Sequence, residues 1–489
     1  MGHTDGIEGK TVGEQLAEKL CVNKKNCWDG VSPEEGEAVG RFAADYVAFL
    51  DKGKTEREFT AAALEVLNGA GFRDIDEILE NLPEGGSLVP GTKVYQNNRG
   101  KSLVFAVIGQ KPPGGGVNIL GAHVDSPRID LKTNPLYEEA EFALLDTQYY
   151  GGIKNYQWTA IPLALHGVVI REDGTRVEIR VGEEAGDPVF TITDLLPHLA
   201  REQMQKKASE AVPGEDLNIL AGSRPFRDNK AKDKVKLNVL NLLHEQYGMV
   251  EQDFARAELE LVPAFKARDL GFDRSMIGAY GHDDKSCAYA ALRSVLELAG
   301  SETPPPKTIV CILTDKEETG SAGNTGAQSR LFENFIAYLL SKGKTAYSEL
   351  LLRRTLSRSA MLSADVNAAF DPTFDSVYDR KTASYVGKGI VISKYTGSGG
   401  KVGGSDASAE FCGKVQAVLT RNKVQWQYGD LGKVDKGGGG TIAKYVANLG
   451  VEVLDCGIPV LSMHSPFEVI SKIDLYTTCR GYAAFLRNI

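Results

Sequence analysis

The chain has 489 residues, 42% of them hydrophobic and 25% charged, with a formal net charge of -9. That length exceeds what one hydrophobic core commonly serves, so two or more domains are expected. The acidic balance and the lack of a long basic run argue against nucleic acid as a partner, and no apolar stretch approaches the span of a membrane helix. The seven cysteines are scattered and include no CxxC, and residues 1–20 lack the apolar core of a signal peptide. Reduced thiols and no leader point to a cytoplasmic protein.

Residues 37–51 carry Val39, Phe42, Tyr46 and Phe49 at helical spacing, and residues 56–69 read as a second helix ended by glycine. The period then changes. Lys93–Gln96 and Ser102–Gly109 read as strands around an Asn-Asn-Arg-Gly turn, and Val117–Ala122 as a buried strand delivering His123 and Asp125. A histidine and an aspartate two residues apart beyond a strand suit a metal ligand and its orienting carboxylate, or a pair packed for structure.

From 129 to 268 the texture alternates polar and apolar, as in half-exposed strands, with a charged stretch at 200–235. This segment reads as a β-rich domain inserted into a discontinuous one made of 1–128 and 269–489. Inserted domains commonly contact partner subunits or substrate.

The α/β pattern resumes at Tyr280-Gly-His-Asp-Asp-Lys-Ser286, a polar loop opening onto a helix over 286–299. Two aspartates there cap a helix or carry a carboxylate shared by two metals. The apolar run Val310–Leu313 delivers the adjacent Glu317 and Glu318 into a loop. Paired carboxylates repel, and such a pair is offset by a cation or a shared proton. Helices are expected over 328–341, 406–420 and 474–486. Met361–Ala364 leads to Asp365, and Val451–Asp455 leads through Gly457–Leu461 to His464. The fold class is therefore α/β, a mostly parallel sheet flanked by helices, with a β-rich insertion.

Strand ends of a parallel sheet lie along one edge, where ligands bind. That edge gathers His123, Glu317 or Glu318, Asp365 and His464, with Asp283 behind a helix start. Nitrogen and oxygen donors without cysteine suit zinc, cobalt or manganese. Five ligands are more than one catalytic zinc takes, so two ions sharing Asp283 is the economical arrangement.

The segments GAHVDSPRIDLK (121–132), GHDDKS (281–286), TDKEETGSAG (314–323), SADVNAAFDP (363–372) and MHSPFEV (463–469) resemble, in order and spacing, the signatures of the M18 family of metalloaminopeptidases. The aspartyl aminopeptidases belong to that family, and the likeness runs from about residue 90 to the C-terminus. It implies His123, Asp283, Glu318, Asp365 and His464 as ligands of two divalent ions, zinc first, with Asp283 bridging. It further implies Glu317 as general base and Asp125 as the residue orienting His123. His282 and Asp284 depart from the flanks common in the aspartyl enzymes.

The implied reaction is release of N-terminal residues from peptides by metal-assisted hydrolysis. The insertion becomes a dimerisation domain and the assembly a homo-oligomer, a tetrahedral dodecamer built from dimers. His198, in Leu195-Leu-Pro-His-Leu-Ala200, matches a histidine that in M18 enzymes reaches a neighbouring subunit's site. The loop Gly437–Thr441 brings backbone N–H groups to substrate or is a flexible turn. A related carboxypeptidase or deacylase, or a non-catalytic assembly protein on the same scaffold, are the rival readings.

Overall fold

The computed structural model describes residues 10–22, 24–83, 86–342 and 346–489; His3 and the start of the 1–20 segment lie outside them. Among the described residues no helix is long and apolar enough to cross a membrane.

Helix Pro33–Lys52 starts where the Ser32 side chain accepts the Glu35 N–H, with proline at its first position. It buries Val39, Ala43, Tyr46 and Leu50, one face at helical spacing. Helix Glu56–Gly69 opens on a reciprocal capping box between Thr55 and Glu58. Helices His282–Ala299 and Lys472–Asn488 pack against each other and are buried along much of their length. Each large apolar side chain fully buried this way contributes about 1.5–3 kcal/mol.

These helices flank a nine-stranded sheet. Its four central neighbours, Ile309–Thr314, Asn118–His123, Ala360–Ser363 and Glu452–Gly457, all run parallel. The sheet as a whole is mixed: most of its pairings are parallel, as expected, but it is not a simple parallel sheet. Lys93–Asn98 and Ser102–Val107 form a hairpin, so Ser102–Val107 enters antiparallel to Ile309–Thr314. Ile390–Ser393 is likewise antiparallel to Glu452–Gly457. A tight turn such as Asn97–Gly100 can only reverse the chain.

A second, seven-stranded sheet is wholly antiparallel and spans Arg128 to Pro263, with its own core around Ile129, Trp158, Leu163 and Leu261. Its long hairpin, Arg128–Glu139 with Phe142–Tyr150, leaves directly from the strand end that bears His123. The charged 200–235 stretch holds short turns of helix and the strand Ile219–Gly222; the helix proper is Lys234–Tyr247, closed by Gly248 at φ 68°.

Ion pairs stitch this sheet to the helices. Arg128 lies between Glu56 and Glu260 with its guanidinium over the Tyr150 ring at 3.9 Å. Buried His166 is clamped between Glu58 (Nδ1, 2.8 Å) and Glu183 (Nε2, 3.0 Å), and Glu183 also takes Lys54 at 2.6 Å. A third, five-stranded sheet runs in the order Arg268–Leu270, Met276–Ala279, Glu468–Ser471, Pro459–Leu461, Asn367–Ala368.

Candidate metal centre

His123 is the last residue of its strand, and Thr314 is its partner on the parallel neighbour. Beyond Thr314 the chain turns back through Lys316, in the left-handed region at φ 66°, into a single helical turn, Glu317–Thr319. That reversal aims the backbone N–H groups of Glu317 and Glu318 at the Asp125 carboxylate, at 3.1 and 3.2 Å. Asp365 follows Ala360–Ser363 and meets the end of Glu452–Gly457. A Cβ on Gly457 would stand 1.8 Å from the Asp365 carbonyl oxygen, so only glycine allows this approach.

Asp283 sits between the two histidines. Its Oδ1 is 3.2 Å from His123 Nε2 and its Oδ2 is 3.2 Å from His464 Nε2. His464 Nε2 is also 3.6 Å from Glu318 Oε2. Each histidine has its other nitrogen engaged. His123 Nδ1 faces Asp125, 3.0 Å from its carbonyl oxygen and 3.3 Å from Oδ1. His464 Nδ1 donates to the Gly152 carbonyl at 2.8 Å. Both rings therefore present Nε2 to the cluster in a set orientation, as metal-binding histidines do. Asp125 also accepts the Tyr150 hydroxyl at 2.8 Å, so the end of the second sheet's hairpin supports both rings.

The electrostatics are those of a cation site. Burial works against ionised Asp283, yet His123 and His464 hold its carboxyl well below the ordinary range. Burial pushes Glu318 well up, with Asp283 adding to it, and does the same to Asp365 with Asp284 adding. Glu317 is raised by burial to about 7. Glu318 Oε1 and Asp284 Oδ1 are buried without a hydrogen-bond partner. Packed carboxylates with orphaned oxygens are costly unless positive charge joins them.

Among the described residues two donor groups fit an ion: His123, Asp283 and Glu318, and His123, Asp284 and Asp365. His464 adjoins the first through Asp283 and Glu318. Glu317 belongs to neither, but lines the same cavity of about 260 Å³. Asp284, one of the two aspartates expected at this helix start but not among the expected ligands, accepts the His123 N–H at 3.3 Å and joins the second donor group. The Gly437–Thr441 loop forms one wall, and Thr441 Oγ1 donates to buried Asp455 at 2.6 Å. His198 is not brought to the cluster within its own chain: it is exposed, in a turn beside exposed Leu195, Leu196 and Leu199.

Histidine nitrogens and carboxylate oxygens around a cleft at a sheet edge define a hydrolytic metalloenzyme class. Residues 49–486 match the family described as aminopeptidase I zinc metalloprotease (M18), and the chain belongs to that family. A probable M18 family aminopeptidase 1 of Clostridium acetobutylicum is 50% identical over 96% of this chain and 99% of its own. The crystal structure of an M18 aminopeptidase from Thermotoga maritima superposes with a TM-score of 0.90 at 42% identity, covering 96% of this chain and 100% of that one. Yeast aminopeptidase 1, 22% identical over 91% of this chain and 97% of its own, shares the fold with a TM-score of 0.72.

Proposed function

We propose that this chain is a two-ion aminopeptidase that removes N-terminal residues from peptides. The observation that carries the reading is Asp283 standing between His123 and His464, beside the orphaned Glu318 oxygen. His123, Asp283, Glu318, Asp365 and His464 would hold two divalent ions, zinc by family, with Asp283 shared. Bound there, the ions supply Lewis acidity and favour ionisation of water near neutral pH.

The remaining chemistry belongs to side chains. Glu317, outside both donor groups, takes the proton of the attacking water and delivers it to the leaving amine nitrogen. Asp125 orients His123 and anchors the Glu317–Glu318 backbone. The family match supports an aminopeptidase, acting at a free α-amine, over a carboxypeptidase or deacylase. Keeping Glu317 beside a ligand argues against a non-catalytic assembly protein.

The seven-stranded sheet acts as an inserted dimerisation domain within a discontinuous catalytic one. Exposed Leu195, Leu196, Leu199 and Met204 around His198 support a subunit contact there. A yeast structure of the same fold is that of a dodecamer, and a closed dodecamer is the assembly proposed here. Five of the seven free cysteines are buried, which fits a cytoplasmic enzyme. The test is hydrolysis of one peptide with a free or an N-acetylated terminus, before chelation, after it, and with Zn²⁺, Co²⁺ or Mn²⁺ restored. Cleavage confined to the free peptide and to metal-loaded enzyme is expected; turnover with metal content near zero contradicts the reading.

A further inference from the structure

Glu468 is buried at 1% exposure and reaches the metal centre without joining either donor group. Its Oε2 accepts the backbone N–H of Asp283 at 2.9 Å, and its Oε1 accepts the backbone N–H of His464 at 2.7 Å. One carboxylate thus joins the main chains of two residues that approach from different parts of the sequence.

The five-stranded sheet explains the placement. Glu468 is in register with Ala279, just before the loop that carries Asp283, and its neighbour Val469 is in register with Leu461, just before the loop that carries His464. Both loops therefore leave the sheet beside the Glu468 side chain. The His464 loop is conformationally expensive, with Ser462 at φ 57° and His464 at φ 63°. Non-glycine residues hold that left-handed conformation when surrounding contacts over-determine it.

Asp283 is held from the other side as well: its carbonyl accepts Ser126 Oγ at 2.6 Å, and Ser126 in turn accepts the fully buried Lys285 ammonium. With its N–H on Glu468 and its carbonyl on Ser126, the Asp283 backbone has no slack. The carboxylate it carries, poised between His123 and His464, inherits that position.

We propose that Glu468 is a positioning residue that sets the spacing between Asp283 and His464, and so the geometry and affinity of the ion they share. The inference rests on the two-ion reading above. Its logic is chemical: both tied groups are N–H donors, so the tie must offer two acceptor oxygens. Glutamine has the same shape but offers one oxygen and one NH₂, which leaves one buried N–H facing another donor.

The test is E468Q, read by competition with a chelator and by the visible absorption of the Co²⁺-loaded protein. Loss of a supporting partner of this kind costs about 10–100-fold in metal affinity. We expect a loss of that size for at least one ion and a changed Co²⁺ spectrum, which a general loss of stability would not produce. D474N is the matched control. Asp474 is also a buried carboxylate accepting two backbone N–H groups, those of Gly387 and Gly389, on another loop. Its Co²⁺ spectrum should be that of wild type.

Unchanged affinity and spectrum in E468Q overturn the inference, as does the same spectral change in D474N. A wild-type chain that takes up no divalent ion overturns the two-ion reading and the inference together, which separates the two failures. Should E468Q not fold, hydrogen exchange on the wild type decides. Metal loading should protect the Asp283 and His464 amides together; protection of one with free exchange of the other overturns the tie.

Discussion

Asp125 holds Glu317 by the backbone: its Oδ1 accepts the Glu317 N–H at 3.1 Å. Its second oxygen accepts from Glu318 and from the Tyr150 hydroxyl, while His123 Nδ1 lies 3.3 Å from Oδ1. One carboxylate therefore fixes His123, Glu318 and Glu317 at once, the residues proposed here as two ligands and the base. Asp125→Asn should damage both jobs, since an amide nitrogen cannot accept any of these hydrogens. Metal affinity is expected to fall about 10–100-fold, measured by chelator competition, with kcat falling as well. A variant with wild-type affinity and kcat would remove Asp125 from this role.

The His166 clamp gives the fold a pH signature away from the metal centre. Burial works against the imidazolium, but Glu183 and Glu58 raise its pKa above the ordinary 6.5. Burial likewise opposes ionised Glu183, yet His166, Lys54 and Lys266 hold it down to about 2, against an ordinary 4.5. The histidine's contribution is full below 6.5 and is lost as pH rises through the raised value. The glutamate's is full above 4.5 and is lost as pH falls toward 2. Melting temperature should therefore decline on the alkaline side in wild type, and His166→Gln should be less stable near pH 6 but decline less steeply. Parallel melting curves for the two proteins from pH 6 to 9 would contradict this.

His198 tests the assembly. It is exposed and does not line its own chain's cavity, which leaves a neighbouring subunit as the place where it would act. There it would donate to the substrate carbonyl as charge develops. His198→Ala should lower kcat with metal content unchanged. Co-assembled with Glu317→Gln chains it should regain activity, because some sites then combine Glu317 from one chain with His198 from the other. Mixed oligomers that stay inactive would confine His198 to its own chain or to no role in the reaction.

Much of this site was legible from sequence because strand ends leave a local signal: an apolar run followed by a polar, charged residue. His123, Glu317 and Asp365 each lie beyond such a run in the parallel centre of the nine-stranded sheet, whereas His464 follows Pro459–Leu461 of the five-stranded sheet. The outer strands were less transparent, since the Asn97–Gly100 reversal is local while its consequence for the sheet is not. The parts played by Asp284 and Glu468 are hidden for a different reason. Asp284 reads as a cap and Glu468 as an ordinary strand residue; only the five-stranded sheet, built from segments far apart in the chain, shows whose N–H groups Glu468 accepts. The Lys234–Tyr247 helix was masked by the charges around it.

The central claim divides labour between adjacent carboxylates, and one preparation of each variant decides it. Glu317→Gln and Glu318→Gln are purified, and divalent metal content and turnover of a free peptide are measured on the same samples. Glu317→Gln should keep wild-type metal content while kcat drops about 10²–10⁴-fold, the scale of a lost general base; Glu318→Gln should lose metal first. A metal-replete Glu317→Gln enzyme turning over at the wild-type rate would contradict the account.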